Sequence, residues 1–367
     1  MTLPMYVLNN CYLDSILVAL FKPTDSTVLD NFFFSRLRMN DSGTLLACGE
    51  SVHDDFVNRS RIQQMLYEIV RKIRGGGEGF TGERFSSCEL REALFRFCPN
   101  EDYNMSNLKE TKDVVEFIGH LLSIFPVTGE KIVKELIIKT ETITNDEGNI
   151  VMDDRVEKKR ENTIHDITMN VDVDKLEGKT TYLSNHIEKK YTSENTTSSP
   201  YQKKSITSYV EETFNYHSLS CFIFTVPTVM SDNHRGRKTA RLAIIPDSNI
   251  TKDGITFVLS GIICALPGHF VAYYREEDTW YFYDDMQSTL KLNVGSYAQL
   301  MVHEKSRIQK KGVVFLYIRR DTRKNVRMLR LTNPQIRQIN YELQDEENDD
   351  LARVFMDGFS GGFYKMP

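Results

Sequence analysis

The sequence predicts an α+β fold, with helices first and strands later, not the alternation of a parallel α/β sheet. Three observations carry this. Apolar residues recur at three and four positions through the first third. Short alternating runs between charged stretches fill the middle. The last third is rich in β-branched and aromatic runs broken by turn signals.

The first helix follows Cys11 in NNCYLDSILVALF. Leu13, Ile16, Leu17, Leu20 and Phe21 form its apolar face, and Lys22-Pro23 ends it. A second helix is marked by Ile62, Leu66, Ile69, Val70 and Ile73 and stopped by Gly75-Gly76-Gly77. The third opens on SSCE, where Ser86 and Glu89 predict a capping box ahead of Leu90, Leu94 and Phe97. The fourth lies in KDVVEFIGHLLSIF, with Val114, Phe117, Ile118, Leu121 and Leu122 as its stripe. From about Lys131 to Lys204, ELIIKTETI and TIHDITMNVDV read as strands. NDEGN, DDRVEKKRE and SENTTSSPYQKK read as exposed loops between them. SCFIFTV, ARLAII, GITFVLSGIICAL, HFVAYY, TWYFYDD and VVFLYIRR are the later strands, and LSGIICAL suggests cover on both faces. The tail is acidic and then glycine-rich. These divisions give a helical lobe over 1–130, a strand-rich insertion over 131–215, a β-sheet lobe over 216–325 and an extension over 326–367.

The chain has 367 residues and a formal net charge of −5, which argues weakly against nucleic acid as the main partner. No signal peptide or membrane-spanning run is expected, so the sequence points to the cytoplasm or nucleus, without a membrane partner. Six cysteines, none spaced as a metal pair and too sparse for a disulfide framework, fit a reducing compartment with no metal site and no cofactor.

Cys11 stands at a helix start, where backbone N–H groups lower a thiol pKa and can bind an oxyanion. Taken alone, it reads rather as a small buried hydrophobe, the commonest fate of a free cysteine. Far downstream, PGHFVAYYREEDTWYFYDDM places His269 at the start of one strand and Asp284 at the end of the next. A hairpin can return that carboxylate to the imidazole, fix its tautomer and leave the other nitrogen for the thiol. Cysteine, histidine, then acid is the chain order of papain-like cysteine proteases.

Four stretches in the same order resemble the ubiquitin-specific proteases, a papain-like class of deubiquitinating enzymes. NNCYLDSILVALF is similar to the cysteine box. KDVVEFIGHLLSIF resembles the box built on Asp113, Glu116 and Phe117. GHFVAYY with WYFYDD resembles the histidine box, and VVFLYIRR the last strand. The resemblance implies a papain-like cysteine protease fold with an N-terminal helical lobe, a fingers-like insertion and a C-terminal antiparallel β-sheet lobe. It implies Cys11 as nucleophile, His269 as general base and then acid, Asp284 as orienting acid and Asp285 as a second carboxylate. Gly268 would let a substrate tail pass, and Trp280 would brace the hairpin beside that channel. Tyr6 stands where the family has an oxyanion-binding asparagine, so Asn9, Asn10 or backbone N–H groups would replace it. The insertion lacks the family's zinc cysteines. Ubiquitin or a ubiquitin-like protein and its conjugates would be the partner, with Glu276, Glu277 and Asp278 as candidates to pair with arginines of its tail. The alternatives are a papain-like protease cutting other proteins, including viral ones, and a weak or inactive ubiquitin-binding pseudoprotease.

Overall fold

Helix α1 (Cys11–Phe21) is buried on every side, Asp14 and Ser15 included. The periodicity predicts one buried stripe. The helix instead packs against the sheet on one side and against other helices elsewhere, the environment of a helix that is apolar nearly all round. The structure is a computed structural model that describes Pro4 and residues 10–35, 37, 48–49, 51–75, 85–99, 113–125, 129–171, 180–226, 243–287 and 292–320. The C-terminal extension from 326 onward, together with Tyr6 and Asn9, lies outside the described residues.

A 3₁₀ turn (Thr24–Leu29) and the short helix α2 (Asp30–Phe33) follow α1. Helix α3 (Val52–Arg74) begins ten residues before the first apolar position that marks it, because Ser51 accepts a hydrogen bond from the Asp54 N–H and so caps a polar first turn. Gly75 closes it. Helix α4 (Cys88–Phe97) lacks the predicted capping box. Ser86 Oγ accepts from the Cys88 N–H, and Ser87 turns inward. Helix α5 (Val114–Ile124) is capped by Asp113, which accepts from the Val115 N–H at 2.7 Å. Cys48 and Cys98 are joined as a disulfide, correcting the expectation of unpaired cysteines. They flank α3 and α4, which pack together, and their separation of 50 residues carries no local signal of that contact.

Strands β1 (Glu130–Thr144), β2 (Ile150–His165), β5 (Glu188–Ser199) and β6 (Gln202–Phe214) form a four-stranded sheet in the order β2-β1-β6-β5. DDRVEKKRE, read from sequence as a loop, is the middle of β2. Every residue of β2 is exposed, so no buried face imposes alternation on it. Its charges sit instead across from those of β1, with Lys134 opposite Glu161 and Glu135 opposite Arg160. SENTTSS likewise lies within β5. Inside the expected insertion, β3 (Thr168–Asn170) and β4 (Thr180–Tyr182) leave this sheet. Strand β3 joins the main sheet beside β7 (Cys221–Thr225), and β4 pairs with β8 (Ala243–Ile245).

The main sheet adds β9 (Asn249–Lys252), β10 (Ile255–Leu266), β11 (His269–Glu276), β12 (Thr279–Tyr283), β13 (Leu292–Gly295) and β14 (Gly312–Arg319). Its order is β13-β12-β11-β10-β14-β7-β3, with β9 also on β10. Helices α6 (Tyr297–His303) and α7 (Lys305–Lys311) precede β14. Strand β10 is buried from Phe257 to Cys264, with α1 and α7 both packed on it, so both faces are covered as LSGIICAL suggests. Gly261 is the point of closest approach: a Cβ there would lie 2.4 Å from the Ala19 carbonyl oxygen. Gly261→Ala is therefore expected to lower stability by about 1–3 kcal/mol through overpacking. Urea denaturation checks this, and an unchanged midpoint would refute the packing argument.

Candidate active site

The turn before β11 is Pro267-Gly268, with Gly268 at φ +68° and Leu266 opposite His269. Proline then glycine is the pairing a type II turn favours, because its third residue needs positive φ. The turn fixes His269 as the first residue of β11. Ala272 pairs with Tyr283, which makes His269 and Asp284 diagonal neighbours across the hairpin. His269 Nε2 lies 2.9 Å from Asp284 Oδ1 and 3.5 Å from Asp285 Oδ1. Asp284 is itself held: its Oδ1 accepts from the Met286 N–H at 3.0 Å and its Oδ2 from Gln287 Nε2 at 3.2 Å. With Nε2 directed at the acids, Nδ1 is the ring nitrogen left to serve as acceptor.

Cys11 begins α1, which lies along β11. Its sulfur faces the backbone N–H of Phe270, the residue after His269. The structure thus brings residue 11 to the same end of the sheet as His269, Asp284 and Asp285. Burial nevertheless outweighs the helix N-terminus. Cys11 is 3% exposed, and burial pushes its thiol up to about 11, against the N–H groups of Phe270 and Tyr12 that favour the thiolate. The charges of Asp285 and Asp14 add to the rise. Asp285 is also buried, and its carboxyl is raised to about 6 by desolvation. The His269 ring opposes that rise and the Asp284 charge adds to it.

No protein-family model matches the chain, and no curated protein matches it. Among solved structures, the SAGA DUB module of Ubp8, Sgf11, Sus1 and Sgf73 bound to monoubiquitin aligns with a TM-score of 0.51 and 11% identity, covering 88% of this chain and 69% of that one. The Saccharomyces cerevisiae PAN2 pseudoubiquitin-hydrolase–RNase module aligns at 0.43 and 12%, over 85% of this chain and 52% of that one. The MERS coronavirus papain-like protease aligns at 0.31 and 8%, over 89% and 68%. The fold is α+β and papain-like.

Other expected residues fall elsewhere. Asn10 is fully buried, and its amide nitrogen donates inward to Ser87 Oγ and to Asp14 Oδ1 (3.2 Å). Both amide hydrogens are thereby engaged, leaving none for an oxyanion. Trp280 is a core residue opposite Arg275, toward the far end of the hairpin, and its ring packs near Tyr297, so it lines no channel beside His269. The acidic turn also sits at the far end of α1. Glu276 pairs with Lys22 at 3.1 Å, the Glu277 N–H bonds to Thr24 Oγ1, and Arg275 pairs with Asp25 and Asp278. An 11-residue helix spans about 16 Å, so this turn, held to the base of α1 by the Glu276 carboxylate and the Glu277 N–H, does not border the thiol.

Two residues that sequence reasoning missed, Asp14 and Ser87, form a buried polar cluster with Asn10 under the nucleophile candidate. The available signal was an acid four residues after Asn10, inside an otherwise apolar helix.

Proposed function

We propose that this chain is a thiol-dependent deubiquitinating enzyme that hydrolyses isopeptide or peptide bonds at the C-terminus of ubiquitin or a ubiquitin-like protein. The observation that carries the reading is the His269–Asp284 contact, set at the end of the sheet where the Cys11 sulfur faces Phe270. In this reading His269 Nδ1 takes the Cys11 proton. The thiolate attacks the terminal glycine carbonyl, and the imidazolium returns its proton to the departing amine as the C–N bond breaks. Water, activated by the same ring, then cleaves the thioester. Backbone N–H groups at the start of α1 are the donors for the oxyanion, since the Asn10 amide is engaged elsewhere. The likeness to a deubiquitinase module bound to monoubiquitin supports the choice of partner. The cytoplasmic or nuclear location belongs to the same reading. Among the described residues, no helix is long and apolar enough to cross a membrane.

The test is a ubiquitin carrying a C-terminal electrophile. A covalent adduct at Cys11, lost in Cys11→Ala, is the expected result. An adduct on another cysteine, or none, would overturn the reading. One observation favours a second reading, a ubiquitin-binding pseudoprotease: the Cys11 thiol is buried and its pKa raised. Iodoacetamide separates the two. Alkylation of Cys11 that accelerates near neutral pH when ubiquitin is added supports the enzyme, and ubiquitin binding without any alkylation supports the pseudoprotease.

A further inference from the structure

The side chains around His269 carry more than a proton relay. One histidine nitrogen and one oxygen from each of Asp284 and Asp285 lie within 4.8 Å of one another. Asp285 is 3% exposed, and neither of its carboxylate oxygens makes a hydrogen bond of good geometry, although the N–H groups of Asp285 and Met286 lie near enough to ease its charge. A buried carboxylate without such a partner is costly unless a cation or proton meets it. Its Oδ1 is aimed at His269 Nε2, 3.5 Å away, and Asp284 Oδ1 lies 2.9 Å from the same nitrogen. Ligand atoms around tetrahedral zinc, at bond lengths near 2.0–2.1 Å, stand about 3.3 Å apart. The Asp285 spacing to Nε2 is close to that, and Asp284, now at hydrogen-bond distance, would draw back by about 0.4 Å to admit the ion.

We propose that His269, Asp284 and Asp285 form an inhibitory zinc site, with water as the fourth ligand. The donor set favours zinc over calcium or magnesium, which take six or more oxygens and seldom imidazole. No cysteine pair is involved, so the cysteine spacing that argued against metal in the sequence does not bear on it. Zinc needs the Nε2 lone pair, so the ring proton that now faces Asp284 moves to Nδ1. Nδ1–H is then a donor and cannot take the Cys11 proton. The metal blocks the base without touching the sulfur. The site itself stands on this geometry, whereas its inhibitory meaning rests on the proposed protease reading.

The full-length chain is titrated with zinc against a chromophoric zinc indicator, without thiol reductant. One site is expected. His269→Ala and Asp285→Ala should each weaken it at least about tenfold, with Asp285→Asn as the shape-conserving substitute if the alanine variant misfolds. Cys11→Ala should retain the affinity. No binding, an affinity indifferent to His269 and Asp285, or an affinity lost only with Cys11 would overturn the site. Labelling by the ubiquitin electrophile is then measured with and without saturating zinc, and a fall of at least tenfold is expected. Full labelling under saturating zinc overturns the inhibition while leaving the protease reading standing. Absent labelling in zinc-free protein counts against the protease reading alone, since the indicator titration still decides the site.

Discussion

Replacing His269 with alanine is expected to lower turnover of a ubiquitin C-terminal fluorogenic substrate by about 10⁴- to 10⁶-fold, the loss typical when one member of a nucleophile–base unit is removed. Asp284→Ala should cost far less. Asp285 already has an oxygen 3.5 Å from the same Nε2 and can take over orientation of the ring. The double replacement Asp284→Ala/Asp285→Ala should therefore exceed the sum of the single effects on a free-energy scale, the mark of two groups sharing one role. If Asp284→Ala alone matches His269→Ala, the two carboxylates do not substitute for one another and the mechanism needs Asp284 alone. Ubiquitin binding measured in parallel separates chemistry from folding, since a damaged fold would lose both.

Asp14 supplies the second large effect, on stability. Burial raises its carboxyl to about 8, against the hydrogen bonds from Ser87 and Asn10, while the charge on Asp285 adds to the rise. The unfolded chain releases this proton near the ordinary carboxylate value of 3.8, whereas the folded chain keeps it to about 8. Between those values the folded state binds more protons, so stability falls as pH rises, by about 1.4 kcal/mol per pH unit, and levels off above the folded value. Asp14→Asn removes that slope. Relative to the parent chain, the variant should gain about 3 kcal/mol between pH 5 and pH 7.5, read from urea unfolding at both values. The comparison between the two chains cancels the titration of His120, whose ring is lowered to about 4 by burial and whose effect on stability has the opposite sign. An equal difference at both pH values would show that Asp14 is ionised in the fold.

The helices and later strands were legible because their burial is strongly periodic or continuous. Cys11, His269 and Asp284 were legible as a chain order, and the Pro267-Gly268 turn places the imidazole where a hairpin would put it. Segments that bury nothing were not legible. DDRVEKKRE has no apolar alternation because β2 has no buried face, and its strand state is set by pairing with β1, a partner whose register the local sequence does not state. Glu276, Glu277 and Asp278 read as a free acidic surface because their partners, Lys22, Thr24 and Arg275 with Asp25, include groups some 250 residues away. Asn10 read as a substitute oxyanion donor, and Ser87 drew no reading beside its neighbour Ser86, the expected cap. Their actual use is with each other and Asp14, across 77 residues.

Strand β14 lies between β10 and β7, at the middle of the main sheet, yet it is the last strand in the described chain. A growing polypeptide that has exposed Cys11, His269 and Asp284 on leaving the ribosome still has a gap at the centre of its sheet, and the face on which α1 rests is incomplete. Cys11 therefore takes its final seat beside the Phe270 backbone only after residues 312–319 have been made and inserted. Until then the segments that carry the cysteine and the histidine are held apart by the order of synthesis alone, and the candidate site is assembled only once that central strand is in place.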